Sequence, residues 1–148
     1  MLNNDYKDIL RILSEKKVKY LLVGAYAMAA HGYPRSTMDM DLWIMPNLEN
    51  AVLVLQALED FGAPTGDLSL EDLQKEDIIF QIGVAPRRID ILTSIDGLEF
   101  EYAFSRSKVI EIDNIPVHLL SIPDLITNKS LTGRLKDLAD VELLEKGP

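Results

Sequence analysis

Three aspartates in two β-prone segments have the residue types and spacing of a divalent-cation site. Asp39 and Asp41 alternate with apolar residues over residues 38–44. A spacing of two predicts that both side chains lie on one face of a strand, about 6.6 Å apart. Two like charges at that separation repel each other, and a bound cation would offset the repulsion. Oxygen ligands of this kind suit Mg²⁺ or Mn²⁺.

A third aspartate, Asp90, lies between Ile89 and Ile91 in a second predicted strand. If that strand lies beside the first, the three carboxylates could hold two metal ions about 3.5–4 Å apart. One ion would lower the pKa of an attacking hydroxyl, and the other would neutralise phosphate charge, which is the chemistry of phosphoryl or nucleotidyl transfer. The alternative is that Asp39 and Asp41 line the solvated face of an edge strand, and the spacing alone favours neither interpretation.

The elements before the acidic strand predict a phosphate-binding turn. Residues 18–23 form a short β-prone apolar run that stops at Gly24, and an alanine-rich helical segment follows up to Gly32. A tight turn from strand to helix at Gly24 and Ala25 would present backbone N–H groups and a positive helix dipole to a phosphate.

Two polar residues between this turn and the acidic strand are further candidates. The guanidinium of Arg35 could bind an oxyanion through two hydrogen bonds, or it could pair with Asp39 or Asp41 and offset their repulsion. The hydroxyl of Thr37 could contact a phosphate, although a β-branched residue that opens a strand is the simpler explanation.

The remaining sequence predicts an α+β fold, in which helices pack around a small mixed β-sheet and further helices lie at the C-terminus. A length of 148 residues favours one domain over residues 1–148. Helical spacing predicts helices over the first fifteen residues, after a capping Asn47, from Ser69, around residues 99–104, and over 123–144 with a break at Gly133. β-prone runs predict strands over residues 78–84, 88–92, 109–112 and 115–119.

The segment VGAYAMAAHGYPRSTMDMDLWI resembles the nucleotidyltransferase motif of the DNA polymerase β superfamily. That motif pairs a Gly-Gly or Gly-Ser turn with an Asp-x-Asp strand and a later strand aspartate, here within RRIDIL. The chain resembles the minimal nucleotidyltransferases of the abortive-infection toxin-type group. It departs from the family at Ala25, where Ser or Gly is usual. The matching positions are Gly24, Arg35, Thr37, Asp39, Asp41 and Asp90.

The resemblance implies an enzyme that uses Mg²⁺ or Mn²⁺ to move a nucleoside monophosphate from an NTP to a hydroxyl, with release of pyrophosphate. Asp39 and Asp41 would bind the metals, and Asp90 would bind one of them and help to deprotonate the acceptor.

The resemblance extends to the C-terminal segment DLITNKSLTGRLKDLADVELL. It implies that Lys129 meets the triphosphate and that Arg134, Lys136 and Asp137 support the site. The predicted nucleotide-binding residues are therefore Gly24, Ala25, Arg35, Thr37, Lys129 and Arg134.

The composition of the chain limits the binding partners and the cellular location that we expect. Fifteen Lys and Arg residues against 24 Asp and Glu residues give a net charge of −9, which argues against extended binding to a nucleic-acid duplex. The chain has no Cys, which excludes disulfides, thiolate metal sites and cysteine nucleophiles. No segment resembles a leader or is apolar for long enough to span a bilayer, so we expect a cytoplasmic protein with no membrane partner.

The acceptor and two other classes of function remain open. The toxin-type relatives suggest an RNA acceptor such as a tRNA end, towards which Arg87 and Arg88 could guide the substrate, but small molecules such as aminoglycosides and protein side chains remain possible. Ala25 and the small size also fit a non-catalytic nucleotide-binding protein, or a partner protein of a toxin–antitoxin pair, on the same fold. A third hypothesis is a metal-dependent phosphohydrolase or nuclease, because the same carboxylates can activate water.

Overall fold

The computed structural model describes residues 2–33 and 39–148. The described residues form six α-helices, six strands and one short 3-10 helix, Asp72–Gln74. The helices are α1 (Asn4–Glu15), α2 (Gly24–Ala30), α3 (Leu48–Phe61), α4 (Phe100–Ser105), α5 (Ile122–Thr132) and α6 (Leu135–Lys146). The strands are β1 (Tyr20–Val23), β2 (Asp39–Ile44), β3 (Ile79–Ile82), β4 (Arg88–Leu92), β5 (Lys108–Ile112) and β6 (Ile115–Leu119).

All six strands belong to one mixed sheet, in the order β3-β4-β2-β1-β6-β5. Strands β2 and β4 pair in parallel, as do β1 and β6, whereas the other neighbours pair antiparallel. The predicted fold, a mixed sheet surrounded by helices, is confirmed. Strand β2 lies between β4 and β1, so the interpretation of Asp39 and Asp41 as residues of an edge strand is wrong.

Local signals in the sequence explain several of the element boundaries. The side chain of Asn47 accepts a hydrogen bond from the backbone N–H of Asn50 and caps α3. Ser121 caps α5 in the same way. Gly133 adopts a left-handed conformation with φ of 72°, and this break ends α5 and allows α6 to fold back against it. The short helix predicted from Ser69 is limited to the 3-10 turn.

One hydrophobic core joins the sheet to the helices. All four residues of β1 are buried, as expected for an apolar strand at the centre of a sheet that is covered on both faces. Helix α1 packs against α3 and β6, and the ring of Tyr6 packs edge to face on Tyr26 of α2 at 5.1 Å. Within residues 2–33 and 39–148, no helix has the length and apolar character needed to cross a membrane.

Candidate active site

The three candidate metal ligands lie together on neighbouring strands. The parallel register of β2 and β4 places Asp41 directly opposite Asp90, and Asp39 two residues earlier on the same face. One carboxylate oxygen from each residue lies within 4.8 Å of the other two. Asp39 and Asp41 are half-buried, and Asp90 is only 6% exposed. The arrangement concentrates three carboxylates in a poorly solvated position.

The electrostatics of the cluster favour a bound proton or cation. Burial, followed by the negative charges of Asp39 and Asp90, raises the pKa of Asp41 from 3.8 to about 7, although the positive charge of Arg88 acts in the opposite direction. The ionised form of Asp41 is therefore costly in this position. A cation that interacts with all three carboxylates would remove that cost.

The donor set fits a divalent cation. Oδ1 of Asp90 is buried and accepts no hydrogen bond from any of the described residues, so one carboxylate oxygen of the cluster is left unsatisfied by them. An all-oxygen set of this kind is suited to Mg²⁺ or Mn²⁺. Within the part of the chain that the structure describes, Asp39, Asp41 and Asp90 form a cluster that could hold such an ion.

Arg88 is a fourth member of the cluster whose role the sequence analysis missed. Its Nη2 donates to Oδ2 of Asp39 at 2.6 Å, and its Nε lies 3.1 Å from Oδ1 of Asp90. Arg88 occupies the first position of β4 and lies opposite Asp39 in the register. The signal was present in the sequence, because the spacing of two between Arg88 and Asp90 places both side chains on one face of a strand.

The turn after β1 brings the backbone against Asp41. Val23 pairs with Asp41, so the chain leaves β1 next to this carboxylate. Gly24 has φ of +70°, and a Cβ atom at this position would lie 2.6 Å from Oδ2 of Asp41. Only glycine fits without displacing the carboxylate or straining the backbone. Ala25 follows in α2 and is half-buried.

A cavity of about 380 Å³ joins this turn to the C-terminal helices. Its volume falls within the range of small-molecule sites. The cavity therefore connects the acidic cluster with basic residues that are distant in the sequence. Its lining includes Gly24, Asp41, Lys129, Thr132, Arg134 and Asp137.

The basic residues of the cavity belong to an ion-pair network between α5 and α6. Lys129 is buried, and its Nζ lies 2.9 Å from Oδ2 of Asp140 and 3.3 Å from Oδ1 of Asp137. Burial would raise the pKa of Asp137, but hydrogen bonds from Thr132 and Arg134 and the charge of Lys129 hold it below 3.8. Arg134 donates through Nε to Asp137 at 2.7 Å, while its side chain remains 75% exposed. Lys129 is therefore anchored, and Arg134 lies at the rim.

Four further residues named from the sequence have different outcomes. Arg35 and Thr37 lie outside the described residues. Lys136 is exposed on α6 and forms no part of the cavity lining. Arg87 is also exposed and lies 3.6 Å from Asp5, so of the two arginines before Asp90 only Arg88 contacts the acidic cluster.

Comparison with known proteins finds solved structures of similar fold. No protein-family model matches the sequence, and no curated protein matches it. A candidate nucleotidyltransferase from Thermotoga maritima, TM1012, superimposes with a TM-score of 0.62 at 15% identity, over 99% of this chain and 94% of that one.

The antibiotic-resistance factor ANT(2'')-Ia is similar in two structures. Its solution structure gives a TM-score of 0.58 at 18% identity, over 95% of this chain and 80% of that one. Its crystal structure in complex with adenylyl-2''-tobramycin gives a TM-score of 0.57 at 18% identity, over 94% of this chain and 84% of that one. The chain thus has the fold of the nucleotidyltransferases.

Proposed function

We propose that this protein is a divalent-metal-dependent nucleotidyltransferase that transfers a nucleoside monophosphate from an NTP to a hydroxyl group. The observation that carries the proposal is the convergence of three carboxylates within 4.8 Å beside the Gly24 turn, on a fold that nucleotidyltransferases share. The proposed cofactor is Mg²⁺, with Mn²⁺ as its replacement. The described residues share one hydrophobic core, which supports a single functional domain over residues 1–148.

The three aspartates have distinct roles in the proposed reaction. Asp39 and Asp41 would hold the cations, while Asp90 would hold one of them and accept the proton of the acceptor hydroxyl. The bound cations supply Lewis-acid chemistry, which neutralises phosphate charge and lowers the pKa of that hydroxyl. The acceptor oxygen forms a bond to the α-phosphorus as the bond from this phosphorus to the bridging oxygen breaks, and pyrophosphate leaves.

The cavity between the turn and the C-terminal helices is the proposed triphosphate site. The backbone N–H groups at Gly24 and Ala25 would contact phosphate oxygens, because the absence of a side chain at Gly24 allows a close approach. Arg134 reaches the rim of the cavity with most of its side chain exposed, and Lys129 adds a positive charge at the wall. Arg35 and Thr37 complete the proposed nucleotide-binding set.

The acceptor in this proposal enters as a small molecule or as a single chain end. The net charge of −9 argues against an extended nucleic-acid surface. The complex of ANT(2'')-Ia with adenylyl-2''-tobramycin supports a small hydroxyl compound, and the resemblance to toxin-type relatives supports an RNA end.

Labelling of an acceptor tests the proposed reaction. The protein is incubated with each α-labelled NTP, Mg²⁺ and a cell extract, and the nucleic-acid, protein and small-molecule fractions are counted. We expect label in one fraction, loss of that label with EDTA, and loss with Asp90→Asn. Asp67→Asn removes an exposed carboxylate outside the site and should label normally. Equal labelling by wild type and Asp90→Asn would refute the role of Asp90.

Ala25 favours a second candidate, a non-catalytic nucleotide-binding protein such as a partner of a toxin–antitoxin pair. A serine hydroxyl that is usual in the family is missing at this position, and the backbone N–H remains for phosphate binding. Calorimetry that detects tight NTP binding, with no pyrophosphate release in any extract, would support this candidate. Release of pyrophosphate would exclude it.

A further inference from the structure

The guanidinium of Arg88 lies between two of the three candidate metal ligands. Its Nη2 is 2.6 Å from Oδ2 of Asp39 and 3.3 Å from Oδ2 of Asp90, and its Nε is 3.1 Å from Oδ1 of Asp90. The Arg88 side chain is 36% exposed. A positive charge within the protein therefore already interacts with the carboxylates that the proposed function assigns to a metal.

The pairing of Arg88 with Asp90 is incomplete as a hydrogen-bonded pair. Nε of Arg88 and Oδ1 of Asp90 are both buried and form no hydrogen bond within residues 2–33 and 39–148. They lie only 3.1 Å apart, but their directions do not suit a bond. The pair of Arg106 and Asp124 in the same chain is a useful contrast. There Nε and Nη2 donate to the two carboxylate oxygens, each at 3.0 Å.

The backbone of Arg88 is held in place by a separate set of contacts from those of its guanidinium. The hydroxyl of Tyr6 donates to the carbonyl oxygen of Arg88 at 2.9 Å and lies 3.2 Å from that of Pro86. These contacts attach the start of β4 to α1. The position of the strand therefore does not depend on the ion pairs of the guanidinium alone.

We propose that Arg88 is a positioning residue that acts as the counter-ion of the acidic cluster until a divalent cation displaces it from Asp39 and Asp90. This inference rests on the metal site of the proposed function. A guanidinium and a divalent cation at the same carboxylates would repel each other across a few ångströms in a poorly solvated position. Arg88 therefore keeps the three carboxylates together without metal, and it weakens the affinity of the site for metal.

Binding of Mn²⁺ alone tests the competition, with Arg88→Gln as the main variant and Arg87→Gln as the matched control. Arg87 is the preceding residue, and it pairs with the half-buried Asp5 outside the acidic cluster. Mn²⁺ affinity is measured by calorimetry or by the loss of the free Mn²⁺ resonance signal. We expect Arg88→Gln to bind Mn²⁺ roughly threefold to tenfold more tightly than wild type, since the loss of two ion pairs favours the metal by that order. Arg87→Gln should match wild type.

Thermal denaturation provides a second readout of the same exchange. In EDTA, Arg88→Gln should melt below wild type, and saturating Mn²⁺ should raise its melting temperature by more than that of wild type. Arg88→Lys keeps the positive charge and should bind Mn²⁺ about as weakly as wild type, which provides a test if Arg88→Gln does not fold.

Equal or weaker Mn²⁺ binding by Arg88→Gln would overturn the inference, and so would tight binding by Arg88→Lys. Failure of both wild type and Arg88→Gln to bind Mn²⁺ would overturn it as well, together with the metal site of the proposed function. If instead Mn²⁺ binding follows the expected order but no NTP labels an acceptor, the competition stands and the proposed transfer reaction fails. The two failures are therefore distinguishable.

Discussion

Replacement of Asp41 by asparagine removes one charge from the acidic cluster and leaves the shape of the side chain almost unchanged. In the wild type, burial and the neighbouring carboxylates raise the pKa of Asp41 from 3.8 to about 7. The folded protein therefore keeps a proton on Asp41 up to about pH 7, whereas the unfolded chain loses it near pH 3.8. It follows that the wild type loses stability as the pH rises through this interval, by about 1.4 kcal/mol per pH unit.

Asparagine cannot ionise, so Asp41→Asn escapes this loss. Without metal, the variant should be more stable than wild type by about 1–2 kcal/mol at pH 5. The difference should reach a plateau of about 4 kcal/mol well above pH 7, because Asp41 is then ionised in both the folded and the unfolded wild type. The direction is unusual for a change at a functional site, and it follows from the repulsion among the three carboxylates.

Urea denaturation in EDTA, followed by circular dichroism at several pH values from 5 to 8.5, measures this difference. Asp67→Asn, which removes an exposed carboxylate outside the site, is the matched control. A constant difference between Asp41→Asn and wild type, or one that grows towards low pH, would refute the reasoning. Saturating Mg²⁺ at pH 8 should stabilise the wild type and leave Asp41→Asn unchanged, because only the wild type retains the full set of ligands.

Three further substitutions test other parts of the site. Gly24→Ala places a Cβ atom 2.6 Å from the carboxylate of Asp41 at a left-handed φ. The variant should lose about 1–2 kcal/mol of its free energy of unfolding in urea and should bind Mn²⁺ more weakly than wild type. Unchanged Mn²⁺ affinity would argue against the contact. Lys129→Met removes the ammonium partner of two buried carboxylates of α6 and should lower the free energy of unfolding by about 3–5 kcal/mol. Lys7→Met breaks only a partly exposed ion pair and should lower it by less than about 1 kcal/mol. Similar losses for the two variants would show that burial of the network is unimportant. Ala25→Ser restores the hydroxyl that is usual in the family and should tighten NTP binding in calorimetry, and no change would indicate that the backbone alone contacts phosphate at this turn.

Local patterns in the sequence predicted those parts of the site that depend on neighbouring residues. Alternation along β2 places Asp39 and Asp41 on one face, and the end of the β-prone run at Gly24 places a turn before α2. Both signals come from a few consecutive residues. Strand pairing is different, because residues far apart in the chain determine it. Alternation alone does not reveal that β2 lies between β1 and β4, which is why the edge-strand alternative stayed open until the sheet order was known.

The contacts of the charged side chains were the least predictable part. The register that places Arg88 opposite Asp39 joins residues 49 positions apart, so sequence spacing related Arg88 only to Asp90. Lys129 is similar. A break at Gly133 was predicted, but the faces of α5 and α6 that meet across it were not, and those faces bring Lys129 to Asp137 and Asp140. Contacts between long side chains of different helices or strands depend on how those elements pack in the tertiary structure.

A crystal structure with a non-hydrolysable NTP and Mn²⁺ tests the central claim most directly, through the anomalous signal of manganese. We predict manganese at about 2.1 Å from carboxylate oxygens of Asp39, Asp41 and Asp90, with the triphosphate against the Gly24 turn and the guanidinium of Arg88 displaced. Manganese absent from these carboxylates, or a triphosphate bound away from the turn, would contradict the account.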